Sequence, residues 1–97
     1  MDAQEICQLQ ALIEGRVQGV GFRYFVQSRA EKLGIKGWVR NTYNGNVEVL
    51  AEGTKETLEI LLQDLRTGPP AAWVAQVKVN WSESTGKFRS FSVVSTA

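Results

Sequence analysis

The sequence predicts an α+β sandwich, with two helices on one face of a four- to five-stranded, mostly antiparallel sheet. Three observations carry that prediction. Apolar and polar residues alternate in five short segments, the strand period. Apolar residues recur at three- and four-residue steps in two longer segments, the helix period. The segments follow one another as β-α-β-β-α-β-β along 97 residues, with no linker, repeat or low-complexity stretch between them.

Residues 6–14 form the first strand: Cys7, Leu9, Ala11 and Ile13 share one face, with Gln8, Gln10 and Glu14 opposite. Gly15, Gly19 and Gly21 break that pattern. Phe22, Val26, Ala30 and Leu33, flanked by Phe25, then mark an amphipathic helix that Gly34 closes. Period two returns at 35–42, with Ile35, Gly37, Val39 and Asn41 on one face, and Asn44-Gly45 signals a hairpin turn. Val47, Val49 and Ala51 line the next strand, with Glu48 and Glu52 opposite and Gly53 as its stop. Thr54 is the N-cap of a second helix, and Leu58, Leu61, Leu62 and Leu65 are its stripe. Gly68-Pro69-Pro70 ends it. Ala75, Val77, Val79 and Trp81 form one face of a fourth strand, and residues 88–94 a short fifth. The first six elements have the ferredoxin-like order of two interlocked split βαβ units. The first helix is then a crossover, and the strands on either side of it run parallel. The loop at 15–21, the start of that helix and the chain near residue 41 therefore meet at one edge.

Composition narrows the chemistry. The length suits one domain spanning residues 1–97, able to bury roughly two-thirds of its unfolded surface. Hydrophobic residues make up 43% and charged residues 22%, a globular balance. Eleven Lys and Arg against ten Asp and Glu leave a net charge of +1, which argues against polyanion binding by bulk electrostatics. Histidine is absent, which excludes triads with a histidine base and histidine metal sites. One cysteine, Cys7, excludes an intrachain disulfide and multi-cysteine metal clusters. By parity with Leu9 and Ile13 it is a core residue. The opening MDAQEICQLQ has no basic region before an apolar core, and no apolar run approaches the roughly 20 residues that span a bilayer. The reading is a cytoplasmic monomer with no cofactor, no nucleic-acid partner and no membrane association.

The segment Gly15-Arg16-Val17-Gln18-Gly19-Val20-Gly21-Phe22-Arg23 lies between a strand and a helix. Its glycines permit positive φ, which turns successive N–H groups inward as an anion nest. The helix N-terminus adds its positive dipole end, and Arg23 supplies a guanidinium able to grip two phosphoryl oxygens. The segment is not a Walker A loop, because Gly-Phe-Arg stands where Gly-Lys-Ser/Thr is required, and it lacks the third glycine of a dinucleotide fingerprint. On residue chemistry alone, Arg23 is either an anion ligand or a solvated charge, although a cation in the first turn opposes the dipole. Asn41 is either a strand-end amide satisfying backbone groups or an uncharged holder of a water. Gln18 shapes the loop through its amide, Arg16 is a solvated charge, and Arg40 points away from Asn41.

These residues resemble a known family. GRVQGVGFR at 15–23 fits the acylphosphatase signature Gly-x-Val-Gln-Gly-Val-x-Phe-Arg at every fixed position. Gly37-Trp38-Val39-Arg40-Asn41, followed by Gly45, Val47 and Gly53, fits the second signature of that family. The resemblance implies a ferredoxin-like fold and metal-independent hydrolysis of the carboxyl-phosphate bond of small-molecule acyl phosphates. Such hydrolysis yields inorganic phosphate, which should inhibit competitively because the nest, the helix terminus and Arg23 recognise the phosphoryl end. The resemblance also implies that Arg23 binds the phosphate and that Asn41 holds the attacking water; the nest reading sets Val17, Gln18, Gly19, Val20, Gly21 and Phe22 beside Arg23 as the phosphate-binding loop.

The chemistry is consistent with this inventory. A carboxylate leaving group, with a conjugate acid of pKa about 4, departs without a general acid. Phosphoryl transfer is commonly loose, so positioning and charge stabilisation carry the catalysis. Two other readings remain. Ferredoxin-like sheets also bind single-stranded RNA through aromatics on their open face, but here that face offers Glu48, Leu50 and Glu52. Related domains also occur fused to larger enzymes that use carbamoyl phosphate, so a binding module with little turnover is the alternative.

Overall fold

The computed structural model describes residues 5–97. The start of the opening segment MDAQEICQLQ, residues 1–4, lies outside the described residues. The elements are β1 (Ile6–Arg16), α1 (Phe22–Lys32), β2 (Lys36–Asn41), β3 (Val47–Thr54), α2 (Lys55–Thr67), β4 (Trp73–Glu83) and β5 (Phe91–Val93). The sheet order is β4-β1-β3-β2-β5. β3 pairs antiparallel with both β1 and β2, so those two strands run parallel, as a crossover through α1 requires. β5 adds to the outer side of β2 in parallel, with Gly37 opposite Phe91 and Val39 opposite Val93.

Alternation gives the sheet its one apolar face. Leu9, Ala11, Ile13, Val39, Val47, Val49 and Ala51 are buried beneath Phe22, Val26 and Ala30 of α1 and Leu58, Leu61 and Leu65 of α2. Each large aliphatic side chain in that layer contributes roughly 1.5–3 kcal/mol relative to exposure. Thr54 caps α2 as expected, its hydroxyl accepting from the Thr57 N–H at 3.2 Å. Cys7 lies in the core. No helix of the described residues is long and apolar enough to cross a membrane.

Four expectations need correction. Gly15 does not end β1; it pairs with Val74, and the register shifts between Glu14 and Gly15. The extra residue on β4 is Ala75, which is exposed, and Val74 takes the core-facing place that alternation assigns to Ala75. The bulge needs glycine: at φ 134°, a Cβ on Gly15 would stand 2.2 Å from the Trp73 carbonyl oxygen. The fifth strand spans less than the pattern at 88–94 suggests: residues 84–86 cross the open face at Glu52, and pairing with β2 begins only at Ser90, whose carbonyl accepts from Gly37 N at 3.0 Å. Glu52, placed by parity on the open face, is buried by the segment at 84–86. Its carboxylate accepts from Gln8 Nε2 at 2.7 Å, Thr85 N at 2.8 Å, Thr85 Oγ1 at 2.9 Å, Ser84 Oγ at 3.0 Å and Gly86 N at 3.1 Å. Burial alone raises a carboxyl pKa. Here the Thr85 N–H, the Gln8 amide and the Thr85 and Ser84 hydroxyls outweigh it and lower the pKa to about 2.

Candidate active site

The bulge at Gly15 delivers the end of β1 into the loop. Val17 is 1% exposed and anchors the loop to the core, and Phe22 at its far end is 2% exposed. Between these anchors, Gly19 (φ 74°) and Gly21 (φ 80°) take the left-handed conformation. A Cβ at either would meet nothing within 4 Å, so backbone conformation and not crowding requires glycine there. Gly21 is also the N-cap residue of α1, and no side chain caps this helix. The first helical bond runs from Phe25 N to Gly21 O, and the N–H groups of residues 18–21 have no backbone acceptor among the described residues. A run of unclaimed N–H groups at an uncapped helix start is the geometry of an anion nest.

Arg23 stands in the first turn of α1 and is half-buried. The ion pairs among the described residues are Arg40 with Glu48 at 2.9 Å and Lys78 with Glu14 at 3.4 Å, so no carboxylate neutralises Arg23. Arg40 is turned away as alternation requires, and its guanidinium stacks over Trp38 at 4.4 Å. Arg16, at the end of β1, is exposed.

Asn41 is the last residue of β2, opposite Val47. Its Oδ1 is buried and has no hydrogen-bond partner. Native structures rarely leave such an acceptor orphaned, since its desolvation costs about 1–3 kcal/mol. Gln18 joins the two halves of the site: its Nε2 donates to Thr42 O at 2.7 Å and to Asn46 O at 2.8 Å. One amide thus fastens the glycine loop to the hairpin that follows Asn41.

Sequence reasoning missed what holds that hairpin. Thr42 N donates to Asn46 O at 2.9 Å, Asn46 N donates to Thr42 Oγ1 at 3.0 Å, and Gly45 N donates to Thr42 O at 3.2 Å. The Thr42 hydroxyl also bonds Asn44 Oδ1. A threonine just before an Asn-Gly turn was the available signal. A recess of about 270 Å³ lies at the other end of the sheet, bordered by Ile6, Leu33, Lys36, Glu52, Ser84 and Phe88. It contains none of the residues at 15–23 or Asn41. The Glu52 oxygens facing it are already committed to donors.

Fold and loop define the class: a small ferredoxin-like α/β sandwich with a glycine-rich strand-to-helix loop at the edge of a parallel strand pair. Comparison with known proteins narrows it. The acylphosphatase family model matches residues 9–93. An acylphosphatase of Acaryochloris marina is 47% identical over 89 residues, covering 92% of this chain and 94% of that protein. The crystal structure of the acylphosphatase from Bacillus subtilis superposes with a TM-score of 0.88 at 42% identity, over 91% of this chain and 98% of its own. Full-length HypF, solved in a phosphate- and nucleotide-bound form, contains a similar region: TM-score 0.86 and 31% identity over 95% of this chain but 12% of HypF. The chain belongs to the acylphosphatase family. It is a hydrolase that acts on small-molecule acyl phosphates.

Proposed function

We propose that the chain, as one domain, cleaves acyl phosphates by attack of a water held at Asn41 on a phosphoryl group held at the 17–23 loop. The orphaned, buried Oδ1 of Asn41, on the residue just before the Thr42 carbonyl that Gln18 fastens to that loop, carries the proposal. The N–H groups of the nest and the guanidinium of Arg23 take the phosphoryl oxygens, and charge redistributed in the transition state strengthens those contacts. The Asn41 amide accepts a hydrogen bond from the water and fixes its lone pair in line with the leaving group. Being uncharged, it does not repel a phosphate dianion as a carboxylate would. The water proton passes to a phosphoryl oxygen of the substrate. The P–O bond to the acyl oxygen breaks, and the carboxylate departs as a stable anion. An alkoxide leaving group would need an acid, and neither Arg23 nor Asn41 provides one, so ordinary phosphomonoesters are poor substrates.

Metal independence, a cytoplasmic location and a monomeric state belong to the same reading. The likeness to a region of HypF favours, as the second reading, a phosphate or carbamoyl phosphate binding module with little turnover. Hydrolysis of an aryl acyl phosphate in excess EDTA, with and without inorganic phosphate, decides between them. The expected result is undiminished turnover in EDTA and competitive inhibition by phosphate. Phosphate binding without turnover supports the module instead, and loss of activity in EDTA with rescue by magnesium or zinc overturns the mechanism.

A further inference from the structure

We infer that the segment after β5 is a positioning strap for Asn41, an inference that rests on the water-holding role proposed above. β5 is assigned only to Val93, but its pairing with β2 continues beyond it. Val94 N donates to Val39 O at 3.0 Å, Ala97 N donates to Asn41 O at 3.1 Å, and Tyr43 N donates to Ala97 O at 3.0 Å. The last two bonds straddle Thr42, the pattern by which one residue of a parallel pair bridges the two neighbours of its partner.

The consequence falls on Asn41. On its inner side β2 is held by β3, with Asn41 opposite Val47. On its outer side the main chain at 41 and 43 is held by Ala97 alone among the described residues. The next peptide is fixed by Thr42 N to Asn46 O and by Gln18 Nε2 to Thr42 O. The strap therefore completes the set of bonds that fixes the backbone from which the Asn41 amide projects. The loop at 17–23 receives no hydrogen bond from residues 94–97. The strap acts on the position of the water and not on the grip on phosphate. Displacement of a reacting group by about 1 Å costs on the order of 10²-fold in rate.

Two variants test it. One ends at Val94, which keeps β5 and the Val94–Val39 bond. The other is Ala97→Pro in the full chain, which removes the N–H given to Asn41 and little else. Each is assayed for kcat with an aryl acyl phosphate and for phosphate inhibition, below its melting temperature, alone and combined with Asn41→Ala. The expected result is a kcat reduced about 10²-fold by truncation and about tenfold by Ala97→Pro. The phosphate inhibition constant should stay within about twofold of the parent, and either change should cost less than about twofold once Asn41→Ala is present. A loss caused only by a loosened fold would persist in the Asn41→Ala background and would weaken phosphate binding as well; either outcome overturns the strap. Normal kcat in both variants, beside an inactive Asn41→Ala, overturns the strap and leaves the water-holding role standing. Normal kcat in Asn41→Ala itself overturns both.

Discussion

Glu52→Gln should remove the loss of stability that this carboxylate causes between pH 4.5 and about 2, without touching the chemistry of the site. Five donors converge on the Glu52 carboxylate, and those from Thr85, Gln8 and Ser84 lower its pKa from 4.5 to about 2 despite burial. A group whose folded pKa lies below its unfolded value stabilises the native state above the unfolded pKa. That contribution is lost as pH falls through the folded one. The window is therefore pH 4.5 down to about 2. At about 1.4 kcal/mol per pH unit, the depression is worth about 3 kcal/mol at neutral pH. Glutamine keeps the shape but presents an NH₂ to a site lined by donors, so the variant should lose about that amount at pH 7. Urea unfolding of both proteins at pH 7, 5, 4, 3 and 2 measures it. The two stability curves should differ by about 3 kcal/mol at pH 7 and converge toward pH 2. Because Glu52 sits opposite Gln8, at the far end of β1 from the loop, kcat of the folded variant should be unchanged. Parallel curves with no convergence would refute the reasoning.

Two further outcomes follow from single contacts. Gly15→Ala forces a Cβ to 2.2 Å from the Trp73 carbonyl oxygen at φ 134°, so it should destabilise by at least about 3 kcal/mol in thermal or urea unfolding. Gln18→Ala releases the loop from Thr42 and Asn46. It should lower kcat about tenfold or more with a modest rise in the phosphate inhibition constant, and unchanged kinetics would remove Gln18 from the positioning of the site.

Much of this protein was legible in its sequence because local pattern and topology agree. The stripes Phe22-Val26-Ala30 and Leu58-Leu61-Leu65 are the buried faces of the two helices. Crossover logic alone brought residues 15–23 to the edge where Asn41 stands, which Gln18 bears out. Alternation failed where a second contact overrode it. The bulge at Ala75 shifts the phase of β4, and that shift depends on how closely Gly15 and Trp73 approach. Glu52 obeys parity, but the open face is open only where no loop crosses it, and residues 84–86 cross it there. The bonds of Ala97 to residues 41 and 43 are backbone pairings over more than 50 residues, and no side-chain pattern announces them.

The division of labour between Arg23 and Asn41 is the central claim, and one paired measurement tests it most directly: phosphate affinity by calorimetry alongside kcat for Arg23→Ala and Asn41→Ala. Arg23 touches the phosphoryl group both before and during transfer, so its loss should weaken phosphate binding and lower kcat by at least about 10²–10³. Arg23→Lys should recover little, since a point charge cannot reproduce the planar fork. Asn41 acts on the water, so Asn41→Ala should abolish most turnover while phosphate affinity stays near that of the parent. Normal turnover in Asn41→Ala, or an equal loss of phosphate binding in both variants, would contradict the account.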